Sequence, residues 1–217
     1  MSAFGYPHGH YLWTYSAGCF SVDLRPSGVF YCPKFPAQAT FGVDASNTLQ
    51  VDWKNFGKYT LASAEGGKWE GSKLGEPSNW RKMEFVSAFT AEEQLLQGLG
   101  GGSRWDFQWE KGSFEVELRC DGFNHFVCNQ YPSHSHWTSE LLADGRCKVD
   151  INWGQYGEYE LLVDAATQTM TGHKKGQPTN WRRAIFKAAL GADALASVPA
   201  HDHSHKHEHG ETCTHDH

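Results

Sequence analysis

Residues 75–85 read GEPSNWRKMEF and residues 176–186 read GQPTNWRRAIF, nearly the same phrase at two points about a hundred residues apart. The correspondence extends upstream. VDWKNFGKYTL (51–61) matches INWGQYGEYEL (151–161), GCFSVDLR (18–25) matches GSFEVELR (112–119), and FYCPKFP matches FVCNQYP. Even the aromatic lead-ins agree, Tyr11, Trp13 and Tyr15 against Trp105, Phe107 and Trp109. Matches in one order with small insertions mean an internal duplication, so whatever one copy folds into, the other must fold into as well.

Within each copy the apolar period is two. Phe20, Val22 and Leu24 alternate with Ser21, Asp23 and Arg25, and Val149, Ile151 and Trp153 alternate with Asp150 and Asn152. This alternation describes antiparallel strands with one apolar face. Turn signals (SAG, PSG, CDG, ADG, EGG) separate the runs, and their Gly and Asp-Gly steps supply the backbone of hairpin turns. Six to eight short strands per copy predict an all-β chain of two antiparallel barrel or sandwich units. One larger barrel made of two halves is the alternative. Each copy closes on a short helical signal: Thr90 stands three residues before Glu93, a capping-box spacing, and GADALAS follows at the matching place. The divisions are therefore 1–98 for the first repeat, 99–104 for a Gly-rich linker that reads as a hinge, 105–197 for the second repeat, and 198–217 for a His-rich tail.

Paired Trp and Arg at the ends of such meanders loosely resemble the lipocalin-like (calycin) barrels, although the G-x-W opening of that family is absent here. The resemblance implies a barrel that holds a small ligand in its mouth. In the repeated phrase, Gly and Pro set a turn and Asn79 or Asn180 bonds its own backbone. Trp80 and Trp181 then read as large apolar plugs, with Arg81 and Arg182 stacked on aromatic faces. The phrase marks a strand corner built twice. A second reading makes Trp80, Trp181, Arg81 and Arg182 part of a site for a small apolar or anionic ligand.

A net charge of −6 argues against a nucleic-acid partner. No apolar run reaches the eighteen or so residues of a membrane helix, and the first residues lack the pattern of a secretory signal. The chain thus reads as soluble and cytoplasmic, with its six cysteines reduced. G-x-S-x-G, P-loop, dinucleotide-glycine and H-E-x-x-H patterns are all missing from the sequence.

Because matched positions serve the shared frame, chemistry is sought where the copies differ. The second copy has YPSHSHW where the first has FPAQATF, so His134 and His136 replace Gln38 and Thr40. On a strand, i and i+2 share a face, which would bring two imidazoles to one metal ion, with His125, Cys128, His173 or Glu140 as a third ligand. The tail is the other departure. It holds His201, His203, His205, His207, His209, Cys213, His215 and His217 with four acids and no core-forming residue, and it reads as a disordered strip that binds zinc, nickel or copper. The favoured function is a non-enzymatic binding protein with a metal-binding tail. A zinc-dependent enzyme centred on His134 and His136 is the alternative. A third possibility is a protein- or glycan-interaction module using exposed Tyr6, Tyr11 and Trp13.

Overall fold

The computed structural model describes residues 8–65 and 67–196. It contains two sheets of eight antiparallel strands, one per repeat. The first comprises β1 (Gly9–Tyr15), β2 (Gly18–Leu24), β3 (Phe30–Tyr31), β4 (Thr40–Val43), β5 (Thr48–Asp52), β6 (Lys58–Ala64), β7 (Lys68–Lys73) and β8 (Glu76–Ala88), followed by helix α1 (Ala91–Gln97). The second comprises β9 (Gly102–Trp109), β10 (Gly112–Arg119), β11 (Phe126–Val127), β12 (His136–Leu141), β13 (Cys147–Asn152), β14 (Glu158–Asp164), β15 (Thr169–Lys174) and β16 (Gln177–Leu190), followed by α2 (Asp193–Ala196).

The strand orders, β3-β2-β1-β8-β7-β6-β5-β4 and β11-β10-β9-β16-β15-β14-β13-β12, are the same up-and-down meander. Each ring is nearly closed, and its two free edges meet at one seam. A single bridge, Val29 to Thr40, joins the edges in the first barrel, and His125 to His136 joins them in the second. The two-barrel reading therefore holds and the composite barrel does not. The tail lies outside the described residues, as does Tyr6.

Period-two alternation points every second residue inward, and aromatic bulk fills each interior. Trp13 meets Phe30 and Tyr59 edge-on at 5.3 Å, while Phe107 meets Trp153 at 6.0 Å and Tyr159 at 6.2 Å. Tyr11 and Trp13 are buried, because they occupy the inward-facing alternate positions of β1. They are core, and not the exposed interaction surface expected above. Cys32 and Cys128 are buried at matching places, and all five described cysteines are free thiols.

The Gly-rich linker is clamped instead of hinged. The N–H groups of Leu99 and Gly101 both donate to the Leu190 carbonyl, and Cys120 N–H donates to Gly101. A side chain on Gly101 would lie 1.8 Å from the Gly191 oxygen, so glycine serves close backbone approach here. Helix α1 carries the predicted capping box, and its Leu96 inserts into the core of the second barrel. The repeats thus share apolar packing.

Beside that helix, His10 Nδ1 lies 2.8 Å from Asp23 and Nε2 lies 2.9 Å from Glu93. The hydrogen bonds to Asp23 and then Glu93 outweigh burial and push the His10 pKa up to about 10. A group whose pKa rises on folding stabilises fully below its unfolded value, near 6.5, and loses that contribution as pH climbs through the folded value. Stability should therefore fall between about pH 6.5 and 10 by an amount that His10→Gln removes. Urea midpoints measured across that range check it, and equal slopes in both proteins would refute it.

Candidate metal centre

The repeated phrase does build one corner twice. In β8, Lys73 pairs with Glu76 while Ser72 pairs with Trp80, so Pro77, Ser78 and Asn79 bulge out, and β16 shifts register at the corresponding place. Asn79 donates to Glu76 at 2.8 Å and Asn180 to Gln177 at 2.9 Å. The parity differs from expectation. Met83 and Ala184 face inward, so two residues earlier Arg81 and Arg182 also turn toward the barrel and Trp80 and Trp181 turn out. Trp80 and Trp181 are exposed and plug nothing. Arg81 lies 5.1 Å from the Tyr59 ring centre and Arg182 lies 5.0 Å from that of Tyr159. Their Nη1 groups donate to Asn79 and Asn180 and to the Trp carbonyls. Lys73 and Lys82 beside this corner are paired with Glu76 and Glu70.

Positions where the copies differ converge elsewhere, on the seam of the second barrel. His125 sits just before β11, His136 opens β12 directly across the seam, and His134 lies in the extended lead-in. One ring nitrogen of each lies within 4.8 Å of the others. His136 Nε2 and His134 Nε2 are 2.8 Å apart. Imidazoles around a four-coordinate zinc, with Zn–N about 2.0–2.1 Å, lie about 3.3 Å apart. The observed spread, from 2.8 Å to within 4.8 Å, brackets that spacing.

The outer nitrogens decide the tautomers. His125 Nδ1–H donates to Asp121 Oδ2 at 2.5 Å, and the same carboxylate accepts from the N–H groups of Phe123 and His125. Burial pushes the Asp121 pKa up, but the His125 hydrogen bond and those backbone donors outweigh it, so the group stays below the ordinary carboxylate value and ionised. His136 Nδ1–H donates to the Phe123 carbonyl at 3.0 Å. Burial, set against that hydrogen bond, holds the His136 pKa below its ordinary value, so the ring is neutral at pH 7. With Nδ1 of both rings turned to these acceptors, Nε2 is the nitrogen that His125 and His136 would each offer an ion. A carboxylate or carbonyl behind each imidazole is the arrangement that fixes metal-ligating histidines.

None of this exists in the first copy. Val29, Gln38 and Thr40 stand where His125, His134 and His136 stand. Between Arg25 and Val29 the first copy has only Pro-Ser-Gly, whereas between Arg119 and His125 the second has Cys-Asp-Gly-Phe-Asn, two residues more. That longer loop supplies Asp121 and the Phe123 carbonyl. As a sequence its Asp-Gly reads as a hairpin turn, which hides both groups, although aligning the two copies exposes the insertion. Of the four suggested third ligands only His125 joins. His173 pairs with Glu160 at 3.1 Å, Glu140 pairs with Lys148 at 2.7 Å, and Cys128 packs in the core.

His125 is buried, His136 half-buried and His134 exposed, so the centre opens to solvent on one side. A surface hollow of about 210 Å³, lined by His136, Thr138, Asp150, Asn152 and Lys175 among others, begins at its edge. The first barrel has a matching hollow of about 460 Å³ along Thr40, Gln50, Asp52 and Lys58, with no histidine on it. The last described residues are tied to the same end of the molecule. Arg119 donates through Nη1 to Ala194 in α2, and through its backbone N–H to the His125 carbonyl at 2.9 Å. Among the described residues no helix is long and apolar enough to cross a membrane. No protein-family model matches this chain, and neither a curated protein nor a solved structure is found to be similar to it.

Proposed function

We propose that the chain is a metal-binding protein whose principal ion sits at His125, His134 and His136 of the second barrel. The supporting observation is that all three ligands and both groups that orient them, Asp121 and the Phe123 carbonyl, occur only in the second copy and meet at one point. Three imidazoles suit zinc, with copper and nickel as chemical competitors. The C-terminal histidines and Cys213 offer further sites of lower affinity. Aromatic side chains fill the barrel interiors, so a ligand in the barrel mouth is not part of this reading.

An ion here bridges the seam that otherwise has one backbone bridge, and so it should stabilise the fold by binding the native state alone. Zinc at about a hundredfold above its dissociation constant contributes about 2.7 kcal/mol. In a barrel pair of this size that corresponds to a rise in Tm of about 5–11 °C. Calorimetric scans of the full chain with zinc and with chelator, repeated on His134→Ala, test this. An equal rise in both proteins would assign the effect to the tail and end the reading.

A second reading follows from one observation: among the described residues no fourth His, Cys, Asp or Glu joins the triad, and His134 is exposed. Three protein ligands with an open position are the pattern of a catalytic ion that holds a water. Hydrolysis of an activated ester that scales with zinc occupancy and vanishes in His134→Ala would favour it over a storage or structural ion.

A further inference from the structure

The centre belongs to the second barrel, but part of its scaffold does not. Asn124 lies between Phe123, whose carbonyl holds His136, and His125, a ligand. Its backbone is fixed on both sides: the N–H donates to the Asp121 carbonyl at 3.3 Å and the carbonyl accepts from Trp137 at 2.9 Å. It adopts φ +54°, in the left-handed region where most side chains are strained, at the position Gly28 holds in the first copy with φ +76°. Its side-chain oxygen accepts a hydrogen bond from Arg25 Nη1 of the first repeat at 2.7 Å.

Arg25 is held for this contact. It is only 3% exposed, its guanidinium stacks over Tyr31 at 3.9 Å, and Nη2 lies 3.6 Å from Asp23, which His10 in turn holds. The repeat makes the assignment sharper. Arg119, the counterpart of Arg25, pairs with Glu117 and donates to the Ala194 carbonyl, both of its own repeat. Arg25 instead crosses to the loop that orients the histidines. A second contact braces the same loop, since Gly122 packs against the Ala37 carbonyl of the first repeat.

We infer that Arg25 is a positioning residue for the metal centre, and that the first repeat serves to set the geometry of an ion bound by the second. This rests on the metal reading above. Removing the link leaves Asn124 held by its backbone hydrogen bonds alone, loosening His125 and the carbonyl behind His136 while leaving every ligand present. Affinity should fall about tenfold, the lower end of what loss of an orienting group around a metal ligand costs.

The test uses cobalt(II) and the full chain, taking as the centre's own signal the part of the visible absorption lost in His134→Ala. Arg25→Gln and Asn124→Gly are each expected to weaken cobalt binding about tenfold and to change the band shape of the bound ion, which a loss of global stability alone does not alter. Asn124→Gly keeps the backbone conformation that Gly28 adopts, so it reports even where Arg25→Gln folds poorly. The double variant should bind no more weakly than the weaker single, because both changes cut one link. Wild-type affinity and spectrum in both singles, or losses that multiply in the double, would overturn the inference while leaving the centre standing. A wild-type spectrum insensitive to His134→Ala would remove the centre, and this inference with it.

Discussion

His125→Ala and His134→Ala should both abolish the tightest zinc site, yet only His125→Ala should weaken the ion-free fold. His125 is buried with its Nδ1–H on the buried Asp121 carboxylate, so its loss leaves that carboxylate with only its two backbone donors. Leaving a buried carboxylate short of one hydrogen-bond donor costs about 1–3 kcal/mol. His134 is exposed, and truncation at such a position changes stability by about 0.5 kcal/mol or less. Each removes one of three ligands, so each should weaken zinc by more than the 10- to 100-fold that loss of an outer group costs. Urea denaturation in chelator gives the first quantity and competition with a chromophoric chelator gives the second. The tail should continue to take up zinc weakly in both variants. Unchanged tight binding in His134→Ala would remove the triad from consideration, and equal apo stability in both would show that Asp121 does not depend on His125.

The frame of this molecule was legible because it is written in local terms. Alternation gave the strands, the Thr90 and Glu93 spacing gave the cap of α1, and the repeat gave two barrels of one kind. The H-x-H pair was legible for the same reason. What could not be read was which distant segment lies across from it. His125 and His173 were equal candidates in sequence. Closure of the ring sets His125 opposite His136, whereas His173 lies on β15 against Glu160. The orientation of the Trp-Arg corner was available and misjudged. Arg81 shares its parity with the core residue Met83, while Trp80 shares its parity with Lys82 and Glu84, which already turns the arginine inward. In the second copy the parities mix, with Trp181 alongside Arg183 and Ile185, and a large aromatic suggested burial on size alone. The tail's chemistry is legible only as composition.

A methyl group at Gly122 should do more damage than almost any single change on the surface of either barrel. A Cβ there would lie 1.7 Å from the Ala37 carbonyl oxygen and 3.0 Å from the Gln38 Cα, both backbone of the other repeat. No rotamer relieves that contact. Either the loop carrying Asp121 and Asn124 retreats, or the repeats move apart and strain the Arg25 bond to Asn124. Overpacking typically costs about 1–3 kcal/mol, and the upper end or more is expected where backbone must shift. Gly42→Ala is the matched control, since its Cβ would meet nothing within 4 Å and its backbone is not left-handed. That change should be neutral or stabilise by up to about 1 kcal/mol through the unfolded chain. Zinc affinity should follow the same division, weakened in Gly122→Ala and unchanged in Gly42→Ala, because only the former displaces the groups behind His125 and His136. If Gly122→Ala matched Gly42→Ala in both urea midpoint and zinc affinity, the repeats would not be braced against each other through this loop. The duplication would then have left two barrels that merely adjoin, instead of one that carries the ion and one that holds it in shape.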